Sequence, residues 1–213
     1  MRFEVLADRL AVLPATLPAP AQTVIPVLTG AATAGARPSF PPQTASSRPA
    51  AVLVLLFPDA SGDARVVLTE RVTRDGYHSG EVSFPGGGAE PGDADPAVTA
   101  LREAAEEVAL DPVAAGVRVI GQLDRFWIPV SNYEVTPVVA LAERRPDLAA
   151  SPDEVASILE PLVAAFLPDA PIEIVEQTIR GWPLRYGAYR IDGLMVWGAT
   201  ARVLSQLGAV LTR

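Results

Sequence analysis

From residue 50 onward, short apolar runs alternate with polar punctuation, and the period of each run predicts an element. Residues 50–57 (Ala-Ala-Val-Leu-Val-Leu-Leu-Phe) form an unbroken apolar stretch ending at Pro58, the pattern of a strand covered on both faces. Residues 59–63 read as a turn and residues 64–72 as a second strand, so the pair predicts a hairpin. Residues 81–84 read as a short strand, and Pro85-Gly86-Gly87-Gly88 as a sharp turn. Asp95 before Pro96 has the form of an N-cap with proline at the first helical position, and predicts a helix that stops before Asp111-Pro112. Residues 117–126, 134–143, 172–179 and 188–197 read as strands. Residues 151–166 start with Ser151-x-x-Glu154, a capping pattern, and predict a helix interrupted near Pro161. Residues 198–211 predict a closing amphipathic helix, and residues 1–13 a short one at the start. Strands mixed with a few helices, without an internal repeat, predict one layered α/β domain.

Residues 14–49 differ in texture. Prolines at 14, 18, 20, 26, 38, 41, 42 and 49 defeat helices and central strands, so residues 1–49 are expected to be an extension, a lid or a subunit arm on a domain spanning 50–213. The arm leaves a homodimer contact open. Cysteine is absent from the 213 residues, which excludes disulfides, thiolate metal sites and a thiol nucleophile. No apolar run approaches the roughly 18 residues that span a bilayer, and the start lacks the basic-then-apolar layout of a secretory signal. A cytoplasmic protein is expected. The net charge of −8, with no run of Lys or Arg, argues against a nucleic-acid partner, whose phosphates demand a basic surface. A small phosphorylated molecule remains compatible, because a bound divalent metal offsets both an acidic site and its ligand.

The helix predicted over residues 96–110 carries Glu103, Glu106 and Glu107 at i, i+3 and i+4, which puts three carboxylates on one face. Like charges at that spacing cost about 0.2–0.5 kcal/mol per pair, so the stripe is no stability device. Most such stripes are solvated faces, yet clustered carboxylates also suit Mg²⁺ or Mn²⁺, which prefer oxygen ligands. The glycines at 86–88 stand just before the helix and let backbone groups approach a ligand closely.

Taken together, Phe84-Pro85-Gly86-Gly87-Gly88, the spacer to Asp95 and Arg102-Glu103-x-x-Glu106-Glu107 resemble the signature of the Nudix hydrolases. Two positions depart from it: Ala94 stands where a Glu eight residues before the Arg is usual, with Asp93 beside it, and Ala109 replaces a Gly. The alanine is expected to be tolerated if the backbone there stays right-handed, and Asp93 is a candidate to steady Arg102 instead. The flanks are similar to the coenzyme A diphosphatase subfamily, with Arg71, His78, Gly80, Val82 and Phe84 in register, Val72 in place of a Ser and Asp75 where an apolar residue is common. Residues 128–139 and the tail 196–204 fit the same subfamily, so the resemblance covers about residues 50–210.

The resemblance implies a Nudix-type α/β/α sandwich around a mixed β-sheet. It implies metal ligation by Glu103, Glu106 and Glu107, with Mg²⁺ or Mn²⁺ as cofactor and Arg102 orienting the carboxylates. It implies hydrolysis of the diphosphate of coenzyme A or an acyl-CoA to 3′,5′-ADP and (acyl-)phosphopantetheine. Candidate substrate contacts are Arg71, His78, Gly86, Gly87 and Asn132, with Tyr133 beside the last. Glu154 is either a distal ligand or a capping residue, and Tyr189 and Trp197 belong to the core rather than to substrate stacking. The alternatives are another nucleoside diphosphate derivative as substrate, such as ADP-ribose or a dinucleotide, and a ligand-sensing module that has kept the fold without turnover.

Overall fold

The apolar period of the first residues folds into α1 (Phe3–Leu10), which buries Leu6 and Leu10 completely. This computed structural model describes residues 1–29, 43, 46–72, 81–179 and 181–213. The first part of the proline-rich stretch after α1, residues 11–29, supplies a 3₁₀ turn, Gln22–Val24, and a two-residue strand, β1 (Val27–Leu28). It lies along the body of the protein: the Ala21 N–H donates to Ser205 Oγ at 2.9 Å, the Gln206 side chain donates to the Pro18 carbonyl at 3.0 Å, and Val24 is fully buried.

The apolar run becomes β2 (Arg48–Pro58), the axis of the molecule. Alternate side chains of a strand face opposite ways. Leu53, Leu55 and Phe57 therefore meet Ala100, Ala104 and Val108 of α2 (Pro96–Val108), while Val54 and Leu56 join Leu204, Leu207 and Leu211 of α3 (Gly198–Leu211). A strand between two helical layers has no solvated face, which is why its sequence is apolar without a break.

Around β2 stand β3 (Ala64–Val66), β4 (Leu68–Arg71), β5 (Val82–Ser83), β6 (Gly86–Gly88), β7 (Val117–Gln122), β8 (Phe126–Ile128) and β9 (Tyr133–Ala142). Six of the strands form one mixed sheet in the order β3-β2-β9-β7, with β6 added to β2 and β8 to β9; β2 and β9 run parallel. The predicted α/β/α sandwich is the observed architecture. β10 (Val155–Leu159) pairs with β4, which pairs with β5. β11 (Glu173–Ile179), β12 (Trp182–Ile191) and β13 (Leu194–Val196) form a third sheet with β1. Asp192 and Gly193, both at positive φ, make the tight turn between β12 and β13. Among the described residues no helix is long and apolar enough to cross a membrane.

Several expectations need correction. Residues 117–126 and 188–197 are not single strands: the first divides into β7 and the start of β8, the second into the end of β12 and β13 around Asp192 and Gly193. Residues 151–166 are not a helix: Ser151 closes one turn by accepting from the Glu154 and Val155 N–H groups, and the chain then extends as β10 before a 3₁₀ turn at Val163–Phe166. Residues 64–72 do not form one strand; they divide at Val67 into β3, which pairs with β2, and β4, which enters a different sheet. The glycines 86–88 are not a turn but β6, hydrogen-bonded antiparallel to Ala50–Val52. Finally, α3 is buried around most of its circumference because the 3₁₀ turn, α1 and β12 all pack on it.

Candidate active site

Two local devices aim the acidic face of α2. Its start is fixed as predicted, with Asp95 Oδ1 accepting the Ala97 and Val98 N–H groups at 2.7 and 3.0 Å. Its underside rests on β6, where the absence of side chains is a requirement. A Cβ at Gly87 would lie 2.6 Å from the Glu103 carboxylate, and one at Gly86 (φ 155°) would lie 2.6 Å from Val52 Cα. Both glycines thus have a steric basis: a side chain at Gly87 would take the ground that the Glu103 carboxylate occupies, and one at Gly86 would run into the backbone of β2.

Arg102 organises the near side. Its guanidinium donates to both oxygens of Asp93 at 3.3 and 3.1 Å and to the Gly88 carbonyl at 3.0 Å. The remaining Nη1 lies 3.0 Å from Glu103 Oε1 and 3.2 Å from Glu106 Oε2. Asp93 also accepts from Thr99 Oγ1 and from the Glu90 N–H, both at 2.9 Å. Arg102 foremost, then the backbone, holds the Asp93 carboxyl down at about 2, and Asp93 in turn raises the Arg102 pKa. Asp93 is therefore the acid that steadies Arg102, with no carboxylate at Ala94.

Glu107 is the buried member, only 2% exposed. Its Oε2 accepts the Gly86 N–H at 3.1 Å and its Oε1 lies 3.5 Å from Arg71 Nη1. Burial outweighs both and pushes its pKa up to about 7, with Glu103 and Glu154 adding repulsion. Burial also raises Glu103, despite Arg102. Glu106 differs: its side chain is 60% exposed and turns to Arg102. Glu154 is exposed at the turn before β10, close enough for its charge to act on Glu103 and Glu107, and its carbonyl accepts the Val72 N–H.

The other candidates divide. Arg71 ends β4 and reaches Glu107, so it joins the cluster. Asn132 does not: at φ 55° it holds a turn, accepting from Trp127 Nε1 at 2.9 Å and donating to the Ser46 carbonyl at 3.3 Å. Tyr133 stands behind β6, with its hydroxyl 3.5 Å from where a Gly88 Cβ would be. His78, Asp75 and Gly80 lie outside the described residues. Tyr189 is core, edge-on to Phe166 at 5.1 Å, and Trp197 stacks on Tyr186 at 4.7 Å. No motif pointed to Arg48, whose guanidinium lies over the Tyr133 ring; its position is visible only once β2 and β9 are paired.

The NUDIX domain family matches residues 47–174, a span that holds β2, the glycine strand and the whole acidic helix. The chain belongs to the Nudix family. It is 36% identical over 167 residues to Nudix hydrolase 15, mitochondrial, of Arabidopsis thaliana, covering 76% of this chain and 58% of that protein. To the same plant's Nudix hydrolase 22, chloroplastic, it is 36% identical over 183 residues, covering 83% and 60%. To the Nudix hydrolase NudL of Salmonella paratyphi B it is 35% identical over 171 residues, covering 80% and 86%. This Nudix chain thus spans 58–60% of the length of the two plant relatives. The crystal structure of RenU, a Nudix hydrolase from M. smegmatis, superposes with a TM-score of 0.46 at 24% identity, covering 56% of this chain and 73% of that one.

Nudix hydrolases generally need divalent metal ions. The Nudix helix fits one in its chemistry. Glu107 and Glu103 are carboxylates that burial has pushed above their ordinary range, a deficit of positive charge at oxygen donors of the kind hard cations bind. Among the described residues, however, no three acidic side chains converge as a ready ligand set, because Glu106 is drawn outward to Arg102. The pair Glu103 and Glu107 carries the fit.

Proposed function

We propose that this Nudix protein hydrolyses the diphosphate bond of coenzyme A or an acyl-CoA, releasing 3′,5′-ADP and (acyl-)phosphopantetheine. The observation that carries the chemistry is the buried Glu107 carboxylate beside Glu103, each raised by desolvation and facing a strand without side chains. Support for coenzyme A comes from the register of Arg71, His78, Gly80, Val82 and Phe84 ahead of the glycine strand. The cytoplasmic setting belongs to the same proposal.

In the reaction water attacks one phosphorus, the bridging P–O bond breaks, and the bridging oxygen leaves on the other phosphate. Glu103 and Glu107 would hold Mg²⁺ or Mn²⁺, which would supply neutralisation of the diphosphate and a more acidic water, and Glu106 would join them, as a ligand or as a partner to the bound water, by turning from Arg102. Arg102 orients Glu103 from the side, itself fixed by Asp93 and the Gly88 carbonyl. The Gly86 N–H fixes one Glu107 oxygen while Arg71 stands at the other, and Arg71 would share a substrate phosphate. Gly86 and Gly87 let the diphosphate approach. Glu154, whose charge acts on both Glu103 and Glu107, would be a further candidate for a distal ligand.

The test is product analysis with Mg²⁺ or Mn²⁺ for wild type and Glu107→Gln. Outer-shell partners of metal sites cost about 10–100-fold, so loss of this direct ligand is expected to cost more than about a hundredfold with the fold intact. If coenzyme A survives while ADP-ribose or a dinucleotide is cut, the substrate is wrong. A wild type inert towards a full diphosphate panel would remove the enzymatic reading altogether.

A further inference from the structure

On the α3 side of the mixed sheet two arginines lie over aromatic rings, Arg48 on β2, which pairs with the glycine strand, and Arg202 beside β8, which pairs with β9. The Arg48 guanidinium sits 4.2 Å from the Tyr133 ring centroid, and its Nη2 donates to the Ser131 carbonyl at 3.2 Å. The Arg202 guanidinium, carried by α3, sits 4.7 Å from the Phe126 ring. Strand register joins the two pairs. Tyr133 is opposite Arg48, and Phe126 is opposite Val135, two residues along the same strand and on the same face. The two rings are therefore diagonal neighbours, roughly 7–8 Å apart at their backbones.

Arg202 is half-buried, and among the described residues it forms no ion pair. Burial lowers its pKa and the charge of Asp124 offsets only part of that. The Asp124 carboxylate is itself engaged, accepting from Gln206 at 2.6 Å. In a chain of net charge −8, a half-buried guanidinium without an ion partner is an unsettled charge, and an anion is its natural complement. A guanidinium laid flat on a ring keeps edge N–H groups free in the planar fork that matches phosphate.

β6 connects this face to the acidic one. Successive residues of a strand point to opposite sides. A Cβ on Gly87 would touch the Glu103 carboxylate, while one on Gly88 would meet the Tyr133 hydroxyl at 3.5 Å. A ligand crossing this bare strand would touch both faces.

We propose that Arg48 and Arg202, laid on Tyr133 and Phe126, form a binding site for the phosphorylated nucleoside end of the substrate. This rests on the coenzyme A reading above. The ribose phosphate meets the guanidinium edges, and the diphosphate crosses β6 towards Glu103 and Glu107. These residues then set specificity, because they read the ribose phosphate that separates coenzyme A from ADP-ribose and from dephospho-coenzyme A.

The test is calorimetric binding of adenosine 3′,5′-bisphosphate and of AMP to the full chain, for wild type, Arg202→Gln and Arg48→Gln. Wild type is expected to prefer the bisphosphate by about tenfold or more, the scale of charge-assisted hydrogen bonds, and each variant to bring the ratio towards one. Arg48 is exposed, so its variant keeps the test decisive if Arg202→Gln fails to fold. In parallel, Arg48→Gln is expected to raise KM for coenzyme A by more than it raises KM for dephospho-coenzyme A, so that the ratio of the two moves towards one. A wild type that binds the two nucleotides equally, or variants that retain the full preference, overturn the proposal. Failure to cleave coenzyme A with the bisphosphate preference intact would instead sink the substrate reading and leave the site standing.

Discussion

At Ala109 the backbone lies at φ 53° and ψ 34°, left-handed, where an L-residue pays about 1–2 kcal/mol against the right-handed region. The condition set for an unstrained alanine, a right-handed backbone, is not met because of how α2 ends: the Ala109 and Leu110 N–H groups both turn back to the Ala104 carbonyl, a closure that glycine makes without strain. Ala109→Gly is accordingly expected to stabilise the protein by about 1 kcal/mol, a rise of about 2–4 °C in Tm for a domain of this size, checked by thermal unfolding. Asp93 carries the converse lesson. The motif position beside it is empty of charge, but the chain bends so that a shorter acid one residue earlier reaches Arg102 with both oxygens. Spacing along the sequence named the candidate; only the loop geometry between Glu90 and Thr99 could confirm its contact.

Among elements, the helices were legible and the short strands were not. α2 was readable end to end because its cap, its proline and its apolar face are local. β10 was misread because residues 151–166 carry a capping pattern and apolar spacing that suit a helix, while what decides the matter is β4, which pairs with it through Leu68–Arg71. β6 has no side chains at all, so no period could reveal it; Ala50–Val52 recruit it. α1 shows a local pattern acquiring a tertiary duty, since Leu6 and Leu10 are fully enclosed by a core that includes α3. Leu6→Ala is expected to cost about 2–5 kcal/mol, as for other fully buried leucines, read as a lower urea midpoint; a loss below about 1 kcal/mol would mean that α1 is peripheral.

Across the whole molecule, the net charge of −8 coexists with two carboxylates of opposite behaviour. Asp93 titrates lower in the folded chain, at about 2, than its ordinary 3.8. Its contribution is therefore fully present above about pH 4 and lost as the pH falls towards 2. Asp93→Asn is expected to be less stable than wild type at pH 7, with the gap closing below about pH 3; an equal deficit at both pH values would show that the charge is irrelevant. Urea unfolding at the two pH values decides it. Glu107 is the reverse case, raised to about 7, so leaving it charged in the interior costs the fold something above neutrality. The sheet holds a carboxylate the core would rather protonate, at the point where the proposed chemistry needs it.

By itself the sequence determined the acidic helix, its cap, the buried axis of β2 and the family signature, because each depends on residues within a few turns of one another. Tertiary structure alone decided which carboxylates stand together. It turned Glu106 outward to Arg102 and buried Glu107 against Gly86 and Arg71. It also brought Arg48 over Tyr133, 85 positions apart in the chain, and Arg202 over Phe126 from the far side of the sheet. Charge acts through space and falls off with distance and solvent, so its pairing is fixed by packing and not by order along the chain.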